Sequence, residues 1–341
     1  MSRSPWTPLH ARLHQTIRQR NLLQPRQRIL IAVSGGQDSL CLGRLMLDLQ
    51  SRWRWELAIA HCNHRWRPDA DANADYVAHL AQAWGIPHYG VAVSPQNTGA
   101  IASEAAARTW RYQKLAELAQ AHDFPVIVTG HTASDRAETV LYNLMRGSGA
   151  DGLQALTWER SLTPTVQLVR PILNFTRSET GQYCRDAGLR IWEDATNDSW
   201  RYARNRIRQE LMPYLQEHFN PAVEQALAQT AELLQADVAC LESLTDEWWH
   251  RAVKVSSVAG QTTPRINRAI LRAAPLAVQR RLVRRLLLAT LPQAPNFEHI
   301  EKLVALLTAP NRSQTDPFPG GAIARVNQDH LEFVKPSEPE G

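Results

Sequence analysis

Four groups of residues in this sequence have types and spacings that could do chemistry. The first is Ser34-Gly35-Gly36-Gln37-Asp38-Ser39. Two adjacent glycines let a backbone turn sharply and approach a ligand closely. A helix starting after them would offer unpaired N–H groups and the positive end of its dipole, which suits phosphate. Ser34 and Ser39 add hydroxyl donors. Asp38 would repel phosphate unless a cation lay between them, which points to Mg²⁺ at this carboxylate; the competing reading is a plain strand-to-helix turn. The second group is Glu104, Arg108 and Arg111, spaced by four and three and so on one helical face. Such a row is either a surface ion pair, worth under about 1 kcal/mol, or a grip for pyrophosphate or an RNA backbone. The third is Gly130-His131 followed by Asp135 and Glu138. The spacing has the form of a capping box, yet two carboxylates one turn apart could also bind an ammonium group. The fourth is His61-Cys62-Asn63-His64-Arg65. Neighbours on a strand face opposite ways, so these side chains cannot all reach one metal ion. Packed polar residues, or a role beside a nucleotide, remain.

The elements that must position these groups alternate in type. Residues 28–33 (RILIAV) read as a buried strand ending at the first glycine pair. Leu42, Leu45, Met46 and Leu49 follow as a helical core stripe. Residues 57–60, 89–93 and 125–130 read as further strands, separated by a helix carrying Val77, Leu80, Ala81 and Trp84 and by an Ala-rich helix over about 101–121. A helix starts near Asp135. Alternation of this kind predicts an α/β fold, a doubly wound parallel sheet with helices on both faces, whose ligands sit at the carboxyl ends of the strands. All four groups fall at such ends. No GxxxxGK[ST] occurs. A GxGxxG does occur, from Gly147 through Gly149 to Gly152, but it follows the helical stripe Ala137, Val140, Leu141, Leu144 rather than a strand. It is therefore no dinucleotide fingerprint, and a flexible loop over the site is expected there.

Beyond about residue 215 the pattern changes. Residues 222–250 read as one long helix, arginine-rich helical segments follow, and 322–334 read as a hairpin turning at Asn327–Asp329. The expected organisation is a catalytic domain over 1–215, a smaller, mainly helical domain over 216–335, and a disordered tail over 336–341. The whole is 341 residues, 44% apolar and 21% charged, which excludes wholesale disorder. No run approaches the ~18–20 apolar residues of a membrane span, and the first twenty residues do not form a secretory signal. The four cysteines are far apart with no CxxC, which argues against disulfides or zinc and suits a reducing cytoplasm. Net charge is only +5, yet the 38 basic residues are 34 Arg and 4 Lys. Arg dominance favours planar recognition of phosphate. Residues 251–290 hold eight Arg and Lys254 with no acid, a local +9. This is either a nucleic-acid footprint or a solvated basic face.

SGGQDS resembles the pyrophosphate loop of the ATP pyrophosphatases, which cleave ATP between its α and β phosphates. HCNHRWR (61–67), EAAARTWRY (104–112), TGHTASDRAETVLYNLMRGSGADGL (129–153), RPIL (170–173) and WEDATNDSWRYARNRIRQELMPYL (192–215) follow it in order. As a set they resemble the tRNA(Ile)-lysidine synthetase family over about residues 28–215. The likeness from 216 on is looser, resting on the basic helical region and FPGGAIARV…LEF. One C-terminal domain is expected, where some members have two.

The resemblance implies a specific reaction. ATP adenylates O2 of the wobble cytidine in an isoleucine tRNA with a CAU anticodon, releasing pyrophosphate. The ε-amine of free lysine then attacks C2 and displaces AMP. Carried over by motif, Ser34, Gly35, Gly36, Gln37, Asp38 and Ser39 hold the nucleotide, with Mg²⁺ on Asp38, and Asp135 and Glu138 bind or orient lysine. Arg108 and Arg111 lie against phosphate or tRNA near the reaction. Arg201, Arg204, Arg206 and Arg208 are expected on the tRNA backbone, and Arg280, Arg281, Arg284 and Arg285 belong to the tRNA-holding patch. A homodimer is common in the family. Two positions depart from its pattern: Thr132 stands where a second His is usual, and Ser134 where an additional Asp is. This weakens His131 as a base and leaves water or Glu138 to take the amine's proton. The nearest alternative is a tRNA thiolase on the same ATP-using domain; a non-catalytic RNA-binding protein with a relic nucleotide domain is another. Thiolases generally carry sulfur on cysteine, so Cys62→Ser is expected to leave turnover unchanged, and a lost activity in a tRNA-modification assay would favour the thiolase.

Overall fold

The structure, a computed structural model, describes residues 6–66, 68–94, 103–192, 200, 203–258 and 261–334. It divides into two compact units, residues 1–235 and 236–341. In the first, α1 (Pro8–Gln19) precedes an alternating series: β1 (Arg28–Ala32), α2 (Gln37–Trp53), β2 (Glu56–Asn63), α3 (Ala70–Trp84), β3 (His88–Ala92), α4 (Glu104–Ala121), β4 (Val126–Thr129) and α5 (Ala133–Met145). Then come α6 (Ala150–Leu153), β5 (Glu159–Thr163), β6 (Val166–Val169), α7 (Arg177–Asp186), α8 (Ala203–Arg206), a π-helical turn at Ile207–Leu211 and α9 (Met212–His218). The six strands form one sheet in the order β3-β2-β1-β4-β6-β5. All pairings are parallel except β5 with β6. The expected doubly wound fold is therefore present, with an antiparallel edge strand added.

The strands are apolar on both sides because both sheet faces are covered. Ile29, Ile31, Leu57, Ile59, Val126 and Val128 join one core with Leu42, Leu45, Met46 and Leu49 of α2. The intervening Leu30, Ala58, Ala60 and Ile127 join another with Tyr112, Leu115 and Ala119 of α4. Each fully buried Leu or Ile contributes roughly 1.5–3 kcal/mol. The chain winds from β1 to β2 and β3 in one direction, while β4 lies on the other side of β1. The carboxyl ends of β1 and β4 are thus neighbours at a topological switch point, where ligands bind in open α/β sheets.

In the second unit, α11 (Arg268–Arg272), α12 (Leu276–Thr290) and α13 (Phe297–Ala305) accompany a four-stranded sheet, β7-β8-β10-β9. Its strands are β7 (Val253–Val258), β8 (Gln261–Asn267), β9 (Ile323–Asn327) and β10 (His330–Val334). The terminal hairpin is where the sequence puts it. The hairpin of β7 and β8 lies inside the arginine-rich stretch read as helical; Pro264 argues against a strand, and the stretch has little apolar alternation. Val278, Leu282, Val283, Leu286 and Leu287 of α12 pack with Ile266, Leu303, Val326 and Leu331.

The division between units falls inside α10 (Val223–Ala252), twenty residues beyond the expected boundary at 215. The start of α10 belongs to the first unit for a packing reason. Val223 and Leu227 lie against Ala137, Leu141, Ile207 and Met212. Glu232 accepts from Arg136 and from Trp158 Nε1, both at 2.7 Å. The expected tail over 336–341 lies outside the described residues. The glycine-rich segment after α5 is a compact turn: Ser148 N donates to the Asn143 carbonyl and Asn143 Nδ2 to that of Gly152. No described helix is long and apolar enough to cross a membrane.

Gly130, just past β4, fixes how closely the switch point can shut. A Cβ there would stand 2.8 Å from the Asp38 carbonyl and the Ser39 amide nitrogen, both backbone atoms. Gly130→Ala is expected to destabilise the fold by about 1–3 kcal/mol through this overlap and to weaken nucleotide binding. Denaturant unfolding and calorimetric titration with ATP check both; parental values in the two assays would show that α2 can yield without cost.

Candidate active site

A cleft of about 390 Å³ opens at the switch point. Its walls carry Ser34, Gly36, Gln37, Asp38, Ser39, His61, Cys62, Arg111, His131 and Asp135 from the sequence-derived groups, joined by Asn73, Tyr112, Arg177, Trp192 and Arg208. The turn Gly147–Gly152, expected over the site, does not line it.

The glycine loop is braced from both sides. Ser39 Oγ donates to the Gly36 carbonyl at 2.8 Å and accepts from Ser34 N at 3.1 Å. Asn73 Nδ2 donates to the Ser34 carbonyl at 3.0 Å, and Trp192 N to that of Gly35 at 3.0 Å. Both carbonyls are thereby held by neighbours. The first-turn amides of α2 have no partner within the helix. Gly35 sits at φ +91°, and a Cβ on it would lie 2.4 Å from Asn73 Oδ1. Only glycine fits such a position without strain. The Gln37 side chain, expected on the nucleotide, turns instead to α7, donating to the Arg177 carbonyl at 2.7 Å and to Thr180 at 3.2 Å. The residue still lines the cleft.

Asp38 accepts from Thr180 Oγ1 and lies 3.5 Å from Arg177 Nη1. Burial, reinforced by the negative charge of Asp135, lifts its carboxyl to about 6 against the opposing pull of Arg177, Thr180 and Gln37. Asp135 divides its work. One oxygen accepts from Thr132 N at 2.8 Å and Thr132 Oγ1 at 3.0 Å, closing the N-terminal capping box of α5. The other faces Arg208 at 3.8 Å. Thr132, where the family pattern has His, is thus the cap residue. The Ser134 hydroxyl is turned to Glu224 and to the Arg177 amide.

Glu138 is 4% exposed and held bidentately by Arg208, at 2.6 and 2.8 Å. Burial raises its carboxyl above the usual range despite that pairing. Arg208 therefore points into the acid pair, unlike the backbone-facing role expected with Arg201, Arg204 and Arg206; it sits in the π-helical turn, a distortion common at functional sites. Arg206 is exposed, Arg204 is half-buried, and Arg201 lies outside the described residues, as does the Glu104 side chain. His131 Nδ1 is 2.8 Å from Thr129 Oγ1. Burial, then the charges of Arg170, Arg108, Arg111 and Arg204, hold its imidazole well below its usual value. It is a neutral, weak base.

The side chains of the His61–Arg65 group turn to different partners. His61 Nδ1 is 2.8 Å from the Val33 carbonyl oxygen, and His64 meets Trp66 at a tilt and Trp110 edge-on. Burial pushes the Cys62 thiol up to about 12, so it is protonated at neutral pH. Among the described residues no three His, Cys, Asp or Glu side chains are placed to hold a metal by themselves.

The basic stretch 251–290 lacks acids only along the sequence. Arg281 meets Glu242 at 2.6 Å, Arg285 meets Glu242 at 2.7 Å, and Arg280 binds Glu301 bidentately at 2.8 and 3.0 Å. Arg284 is exposed at the surface. The local +9 is therefore partly compensated by α10 and α13.

Residues 7–215 match the PP-loop domain family, and residues 267–332 match the TilS substrate binding domain. A tRNA(Ile)-lysidine synthase from Nostoc sp. is 60% identical over 330 residues, covering 94% of this chain and 95% of the relative. The chain belongs to the tRNA(Ile)-lysidine synthase family. A second member, from Synechocystis sp., is 48% identical over 96% of this chain and 98% of its own length. Among solved structures, the tRNA thiolase NcsA from Methanococcus maripaludis superposes with a TM-score of 0.56 at 16% identity, covering 66% of this chain and 77% of that one. That likeness is one of fold. Membership in the lysidine synthase family agrees with the ATP-using loop read from SGGQDS and with the expected doubly wound fold.

A carboxyl lifted by burial costs stability only where it is ionised. For Asp38 that cost is absent below its ordinary value of 3.8 and complete above about 6. Asp38→Asn is expected to raise unfolding free energy at pH 8 by on the order of 1–3 kcal/mol, the gain shrinking as pH falls from 6 toward 4. Urea titrations at several pH values read this directly, and a variant no more stable than its parent at pH 8 contradicts it.

Proposed function

We propose that this chain joins lysine to C2 of the wobble cytidine of an isoleucine tRNA with a CAU anticodon. ATP first adenylates the cytosine O2. The observation that carries the reading is one cleft lined by a phosphate loop, by Asp135 and by the Arg208 that holds buried Glu138, in a chain 60% identical to a named lysidine synthase.

The division of labour follows from the geometry. In the first step O2 attacks the α-phosphorus and pyrophosphate leaves. The amides at the start of α2, held in place by the braces on Ser34 and Gly35, stabilise the charge that gathers on the leaving group. Asp38, with Asp135 beside it, would hold Mg²⁺. This ion usually takes one or two carboxylates plus substrate phosphates, and the two acids supply that number. When bound it neutralises charge between carboxylate and phosphate. In the second step the ε-amine bonds to C2, the C2–O2 bond breaks, and AMP departs with the oxygen.

Asp135 and Glu138 bind or orient the lysine. The Arg208 guanidinium already satisfies Glu138, so an incoming ammonium group competes for the same oxygens. Glu138, raised by burial, is a better proton acceptor than neutral His131 once that exchange occurs. The protonated Cys62 thiol gives no support to sulfur relay. The second unit supplies tRNA contacts through phosphate and shape, with Arg280, Arg281, Arg284 and Arg285 available where RNA phosphates displace the local carboxylates.

Mass analysis of tRNA incubated with ATP, Mg²⁺ and labelled lysine should find the label on the wobble nucleoside. Glu138→Gln should raise KM for lysine by about tenfold or more, a loss of roughly 1.4 kcal/mol, with tRNA-stimulated ATP–pyrophosphate exchange near the parental rate. Exchange without label incorporation by the parent enzyme would overturn the second step. Unchanged lysine dependence in the variant would remove Glu138 from it.

A further inference from the structure

Four guanidinium groups gather round Tyr112. Arg160 of β5 has its Cζ 4.5 Å from the ring centroid; those of Arg108 and Arg111, on the same helix as Tyr112, are at 5.3 and 5.6 Å. The fourth, Arg170, follows β6 and is only 2% exposed. One of its nitrogens donates to the Thr157 carbonyl at 2.6 Å. Tyr112 Oη and Arg170 Nε are both buried, and the Arg170 guanidinium lies against the phenol oxygen. Tyr112 itself is 7% exposed, and with Arg111 it lines the cleft.

This cluster differs in its surroundings from the arginines whose partners are acids. Arg136, Arg208, Arg280, Arg281 and Arg285 each meet a carboxylate. Among the described residues no carboxylate forms an ion pair with Arg108, Arg111, Arg160 or Arg170. Arg204 adds further positive charge toward Arg108. Burial alone would raise the Tyr112 phenol, but the charges of Arg108, Arg111, Arg170 and Arg160 outweigh it and hold the group below its usual value. Like charges brought together out of water are costly unless an anion joins them, and planar guanidiniums match phosphate oxygens two at a time.

We propose that Arg160, Arg170 and the Tyr112 hydroxyl complete, with Arg108 and Arg111, a site for a phosphodiester of the RNA substrate beside the reacting nucleotide. The inference rests on the lysidine-forming reading of the cleft. It assigns the cleft two distinct anion holders. The glycine loop, with Asp38 for a cation, suits a metal-bound polyphosphate. Among the described residues no carboxylate pairs with the arginine cluster, which so suits the single charge of a backbone phosphate. A base drawn out of its stack brings flanking phosphates with it, and anchoring one of them would set where the cytosine can reach.

The test uses the full chain, an anticodon stem-loop RNA and two variants. Arg160→Ala removes an exposed edge-strand cation; Tyr112→Phe removes only the hydroxyl. RNA affinity is measured by fluorescence anisotropy across a salt series, ATP and pyrophosphate affinity by calorimetry. Arg160→Ala is expected to weaken RNA binding about 5- to 20-fold and to reduce the salt slope by about 0.7–1, with ATP affinity unchanged. Tyr112→Phe should weaken RNA binding about threefold or more at a parental unfolding midpoint. A stem-loop with one neutral methylphosphonate linkage next to the wobble position should bind the parent poorly, yet bind Arg160→Ala no worse than the unmodified RNA does. Unchanged RNA affinity and slope in Arg160→Ala, or a loss that falls on ATP or pyrophosphate instead, overturns the site. Lysidine formation by the parent on the same stem-loop separates the two readings. A parent that forms lysidine while Arg160→Ala binds RNA normally sinks the phosphodiester site alone; a parent that forms none sinks the reaction.

Discussion

The site depends on a carboxylate that is costly to ionise where it stands. Asp38 begins the helix after the glycine loop, where the ends of β1 and β4 leave it little water and Asp135 adds a second negative charge. The helix start would suit an anion, and a fixed anion already occupies it. A polyphosphate can share that space only if a cation comes with it. The neighbouring residues make the position tenable: Thr180 and Gln37 donate hydrogen bonds to the carboxylate, and Arg177 approaches within 3.5 Å. None of these belongs to a recognisable run of sequence around Asp38 except Gln37. They arrive from α7, which the capping box of Thr176 and Glu179 starts at the right residue.

Charge is sorted around the cleft in a way that net charge conceals. One region collects acids, Asp38, Asp135 and Glu138, with Arg177 and Arg208 as their counterweights. Another collects arginines about Tyr112 with no acid in ion-pair reach among the described residues. The second unit shows the opposite arrangement, where α12 is dense in Arg but α10 and α13 return Glu242, Asp246 and Glu301 to it. A window of sequence counts the charges of one element. The field at a point depends on every element that passes near it.

That difference explains what the sequence could and could not reveal. SGGQDS was readable because a glycine pair between a buried strand and an amphipathic helix has few other uses, and the alternation of elements led to the sheet. Asp135 and Glu138 were readable as a pair, but their separate jobs were not: Thr132 claims one oxygen of Asp135 as a cap, and Arg208 reaches Glu138 from seventy residues away. Asn73, Arg177 and Thr180 carried no local signal, being ordinary residues that matter only where the chain returns to the loop. Gln37 shows a division of roles inside the motif. It lies inside the motif, yet its side chain serves α7. The hairpin of β7 and β8 escaped notice because its pattern is weak and Pro264 discourages a strand.

The bond from the Trp192 amide to the Gly35 carbonyl, and that from Thr180 to Asp38 across 142 residues, also bear on how the protein is made. A growing chain can pair β1 with β2 early, since those strands are close in order. It cannot set the loop until the segment through Trp192 has left the ribosome. Until then the motif has only the braces from Ser39 and Asn73, so a nascent chain lacks the holds from Thr180 and Trp192 until the first unit is nearly complete.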